Sequence, residues 1–126
     1  MKRTLLNLLC GALVAGVPVY AHHSFAVDYF ENQVVSVEGE ILQFQHKNPH
    51  SILVISASDE HGQLQTFTAE WGGASRLNRD GVTPQTLKPG DHVVVDGSPG
   101  RKPEDHKLHL KGLYRPADGW RWRRSR

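Results

Sequence analysis

The sequence carries one cysteine and one methionine, and both fall within the first ten residues, Cys10 and Met1. Beyond that point no disulfide can form and no sulfur ligand exists. Any metal must therefore be held by nitrogen and oxygen. A thiol nucleophile, a G-x-S-x-G elbow and an HExxH pair are likewise missing, and no enzyme class stands out in what remains. Ser24 follows His23 directly, too near in sequence to act as a nucleophile and base pair, since such groups converge from separate elements. Long apolar runs are also lacking. The most apolar stretch, Leu5 to Val19, is too short for a lasting membrane span.

That stretch has another use. Lys2 and Arg3, the apolar run and Val19-Tyr20-Ala21 have the layout of a secretory signal peptide over residues 1–21. The short side chains at Val19 and Ala21 place the cut after Ala21, which exposes His22; a cut after Ala15 competes. The expected location is the periplasm or the medium. Losing Lys2 and Arg3 lowers the basic count from 15 to 13, against 13 acidic residues. Charge is nonetheless uneven. Residues 115–126 hold five Arg and one Asp, behind a mildly acidic body over residues 22–114. This Arg/Trp-rich tail shows no apolar periodicity and reads as frayed, with weak contact to anionic envelope surfaces as its one use. The acidic body and the export signal both argue against a nucleic-acid partner.

The body reads as all-β, and its length suffices for one core. VVSVEGEILQFQH is a long first strand in which Val35, Val37 and Ile41 share a parity and Leu42 and Phe44 take the other. That phase change beside Gly39 predicts a bulge or bend. SILVISAS and LQTFTAEW are the next strands, joined by a turn at His61-Gly62. GGASRLNRDG holds a short helix, and HVVVDGS and HKLHLKGLY close the set. Three strands, a helix and two strands is the element order of a five-stranded OB-like barrel with the helix between strands three and four. An open five-stranded sandwich is the alternative.

Eight histidines are the conspicuous surplus. If processing exposes His22, its free amine and imidazole can chelate one metal ion, and a third nitrogen from the body would complete a tetragonal set favouring Cu(II), with zinc or nickel next. His50 is the best body candidate, because Asn48-Pro49 stiffens the turn that presents it. His23 and His46 are auxiliaries, and His92 is a weaker choice. His61, His106 and His109 read as solvated, as do Glu38, Glu40 and Glu70 on strand faces, and Arg76 and Arg79 read as surface charge. A histidine pair without a cysteine partner or a helical HxxxH spacing is a weak motif, equally open to bonding with backbone carbonyls. The competing expectation is a metal-free module that binds an envelope protein or a small ligand on a face bearing Phe44, Asn48, Pro49 and Trp71.

AHHSF, NPH, the segment from Glu70 to Arg76-Leu77, the LKPGD turn and a late DG occur in one order between Ala21 and about Trp120. In this the chain resembles a bacterial family of small exported proteins of unknown function that opens with HHSF and carries a central NPH. It departs from that pattern at His46, Phe67 and Val82, where the family has tryptophan. The resemblance implies an exported β-barrel-like domain and supplies no activity.

Overall fold

The computed structural model describes residues 25–124. The expected signal peptide, its cut site, His22 and His23 lie outside the described residues. A one-turn helix α1, Phe25–Asp28, leads into β1, Val35–Gln45, β2, Ile52–Ser58, and β3, Leu64–Glu70. The short helix α2, Ala74–Arg79, comes next, followed by β4, His92–Pro99, β5, Lys107–Arg115, and β6, Trp120–Arg123.

β1 is long enough to serve two neighbours. Its first half pairs with β4 and its second half with β2, and Gly39 and Glu40 pair on both sides. A Cβ at Gly39 would run into the Ser56 carbonyl oxygen and lie 2.8 Å from the Ala57 Cβ, so only glycine lets the two strands approach this closely. The register slips between Ile41 and Gln43, leaving exposed Leu42 as the extra residue of a bulge. The phase change expected at that point is therefore a real bend. Parallel pairing of β3 with β5, through Thr68–Lys107, Ala69–Leu108 and Glu70–His109, closes the ring β1-β2-β3-β5-β4. The fold is a closed five-stranded barrel with one short helix between β3 and β4, as the element order predicted.

The interior follows the strand parity. Val37, Ile41, Leu53, Ile55, Phe67, Ala69, Val93, Val95, Leu108 and Leu110 point inward and are buried. Leu77 of α2 and Val82 after it join the same core, which places the helix as a plug at one barrel end.

The tail differs from its reading as a frayed segment. Trp120–Arg123 form β6, which pairs with β5 beyond the point where β3 leaves off, at Gly112 through Arg115. Trp122 is buried, meets Trp71 edge-on at 4.9 Å, and donates from Nε1 to Asp80 at 3.2 Å. Alternation of Trp with Arg puts one tryptophan in the core and the guanidinium groups of Arg121 and Arg123 in solvent, so period two decides the outcome despite the charge.

Candidate metal and ligand pocket

The NPH turn is tied down from three directions. The Ser51 hydroxyl donates to the Lys47 carbonyl at 3.2 Å, and the Ala74 amide donates to the same carbonyl at 2.9 Å. The Ser51 amide donates to Gly72, and the Trp71 amide to Ser51. The Asn48 side chain reaches Ser75 twice, accepting from its amide and donating to its hydroxyl, each at 3.2 Å. Asn48–Pro49 is a cis peptide. His50 therefore leaves a braced turn, as its neighbours in sequence suggested.

His50 then meets Glu70. Its Nδ1 lies 3.2 Å from Glu70 Oε1, while the other carboxylate oxygen accepts the Tyr29 hydroxyl at 2.5 Å. Glu70 is not on a solvated face, as strand parity alone implied, because the segment around Tyr29 folds over that face. Burial and the bond to Glu70 push the Tyr29 phenol far above its ordinary range.

The second histidine at this place is His109, the register partner of Glu70 across β3 and β5. Outward parity made it read as solvated, yet it is only 4% exposed. Phe25 stacks on it with ring centroids 3.6 Å apart and planes 7° apart, and Glu31 accepts from its Nδ1 at 2.7 Å. The other oxygen of Glu31 accepts from Lys111 at 2.5 Å. Burial lowers the His109 pKa, only partly offset by its bond to Glu31, so the ring is held neutral. The Glu31 carboxyl is raised by burial, but its bonds from Lys111 and His109 outweigh this and hold it below the usual carboxylate range.

The two imidazoles are built alike. A carboxylate holds Nδ1–H of each, so in the neutral tautomer Nε2 carries the free lone pair. Both rings touch Phe25, His50 with a centroid separation of 5.0 Å. Both also line one cavity of about 220 Å³, together with Phe25, Trp71, Arg76 and Arg124.

The other expected residues are placed differently. His46 Nε2 donates to the Val82 carbonyl at 3.0 Å and its ring meets the Phe44 edge, so its Nε2 is not free for a metal. His92 Nε2 lies 2.8 Å from exposed Glu38 on the flank of β1 and β4. Trp71 is 1% exposed and lies against Phe44 at 5.9 Å, a core residue that also lines the cavity. Pro49 lines the cavity, whereas Asn48 is occupied with Ser75. Among the described residues no three His, Cys, Asp or Glu side chains form a metal-holding group. Sequence reasoning missed His109, Glu31, Glu70 and Phe25. The one signal that pointed near them was the Phe that ends HHSF.

No curated protein matches the chain. Among solved structures it is similar to a small single-stranded DNA-binding protein from Streptomyces coelicolor, at 15% identity and a TM-score of 0.41, covering 70% of this chain and 95% of that one. The barrel here is defined by its own strand pairing, and DNA binding is a property of that protein. The model of a family of unknown function, DUF6152, matches residues 11–109, and the chain belongs to that family.

Proposed function

We propose that this is an exported binding module that holds a divalent, nitrogen-preferring metal ion, Cu(II) ahead of zinc or nickel. The ligands would be the amine and imidazole of a processed His22 together with Nε2 of His50 and of His109. One observation carries this reading: two histidines on one cavity, each with Nδ1 held by its own glutamate. That carboxylate–histidine pairing fixes the tautomer and raises ligand basicity, which is how metal-ligating histidines are ordinarily supported. The paired glutamates also bring two negative charges to a site that a dication would occupy.

Chain length supports the part played by His22. Two residues, His23 and Ser24, lie between it and Phe25, and the three residue-to-residue steps span at most about 10 Å when extended. Phe25 touches both imidazoles, so His22 is within reach of them. A set of nitrogens with no thiolate suits Cu(II) best. His23 is one residue closer to Phe25 and can serve as an auxiliary, while His46 leaves the proposal because its Nε2 is bonded elsewhere.

Intact mass of the secreted protein tests the N-terminal half of the proposal. A chain beginning at His22 is expected, and a chain beginning at Gly16 would remove the terminal chelate. Binding of an envelope protein or a small ligand without metal is the competing reading. It is favoured if the metal-free and copper-exposed proteins behave identically.

A further inference from the structure

We propose that the same pocket seats a small oxyanion, a phosphoryl or carboxylate group, on the guanidinium groups of Arg76 and Arg124, with or without a metal on the histidines. Arg76 comes from α2 and Arg124 from the end of β6, yet both line the cavity. Neither has an acidic partner among the described residues, although Arg115 pairs with Asp91 and Asp118, and Arg123 approaches Asp96.

The nearby carboxylates cannot supply one. Glu70 uses one oxygen on His50 and the other on Tyr29. Glu31 uses one on His109 and the other on Lys111. Both also stand behind the imidazoles, outside the cavity lining. Two unpaired cations thus share a concave wall that holds no carboxylate, where low-dielectric walls concentrate their field on whatever enters. Buried Trp71, whose Nε1–H has no acceptor, adds a further donor-bearing ring to the lining.

Geometry and size narrow the ligand. A guanidinium presents a planar fork that matches the oxygens of carboxylate or phosphate. The cavity, about 220 Å³, is smaller than the roughly 300–1,000 Å³ of pockets for drug-sized ligands. A compact anion of a few heavy atoms fits it, and a nucleotide does not.

The test uses the full secreted chain, stripped of metal with chelator and then desalted, so that it is independent of copper binding. Calorimetric titration with inorganic phosphate and, separately, with succinate at low ionic strength is expected to show saturable 1:1 binding of at least one. The probe that binds tells phosphoryl from carboxylate. Arg76→Gln and Arg124→Gln are each expected to weaken binding about tenfold or more, the effect of losing a charged hydrogen bond. Arg79→Gln, on the same helix but off the cavity, should change it less than about twofold. Failure of both anions to bind, or an equal loss with Arg79→Gln, would overturn the proposal.

Discussion

Phe25 lies flat on His109, with ring planes 7° apart and centroids 3.6 Å apart. This one contact turns an outward-facing strand residue into a buried one and ties the N-terminal segment to the barrel wall. The bridge between Tyr29 and Gly100, and the Phe30 amide donating to Pro99, continue the same seam.

Removing that ring should therefore loosen the segment and the pocket together. Phe25→Ala is expected to destabilise the protein by about 1–3 kcal/mol, from lost apolar burial and lost ring stacking. Urea unfolding checks the value, and proteolytic nicking before Glu31 should rise in parallel.

The sixth strand should contribute stability despite its charge. Trp122→Ala removes a buried ring packed on Trp71 and is expected to cost about 3–5 kcal/mol in thermal or urea unfolding. Truncation after Asp118 should destabilise at least as much. A truncated chain as stable as the full one would contradict the docking of β6.

Acid should undock this strand through Asp118. Its carboxylate accepts from Arg115 Nε at 3.0 Å and Nη2 at 2.8 Å, and from the Trp120 amide at 3.1 Å. The Arg115 bonds, then the Trp120 amide, hold its pKa below the ordinary aspartate value of 3.8. Because the folded pKa is lowered, the stabilisation is present above the unfolded value and is lost as pH falls through the folded one. Arg115 also donates to the Thr86 carbonyl at 2.6 Å, a bond that does not titrate and keeps the guanidinium anchored. Tryptophan fluorescence of the wild type is expected to shift below about pH 4. Asp118→Asn should show less of that shift and lower stability at neutral pH.

Gly73 lets the NPH turn sit against α2. A Cβ there would approach the Pro49 carbonyl oxygen to 2.5 Å and Asn48 Oδ1 to 2.7 Å. Gly73→Ala is expected to destabilise by about 1–3 kcal/mol, as overpacking does, and to disturb the presentation of His50. Gly72→Ala, whose Cβ would meet only ordinary contacts at 3.5 Å or more, is the control.

Local patterns carried the barrel. Strand parity, the slip at Leu42 and the glycine-flanked α2 are all written in neighbouring residues, because side-chain alternation and turn chemistry act over a few positions. β6 reads instead as a frayed tail: Trp120 and Trp122 alternate with Arg121 and Arg123, but the surrounding arginines mask the period. His50 on a stiffened turn was visible for the same local reason. Its partners were not. Glu31 lies 78 residues from His109, and Tyr29 lies 41 from Glu70. No periodicity within β3 or β5 records that an N-terminal segment will cover their outer faces. His109 and His61 therefore read alike in sequence, and only tertiary contact separates His109, buried on a carboxylate, from His61 at an exposed turn.

The most direct measurement is a competitive Cu(II) titration of the processed wild type alongside His50→Ala and His109→Ala. The wild type is expected to bind one Cu(II) more tightly than a short peptide that merely begins with histidine, and each substitution should weaken it about tenfold or more. Wild-type affinity no greater than that of the peptide, and unchanged in both variants, would contradict a metal site at the Phe25 pocket.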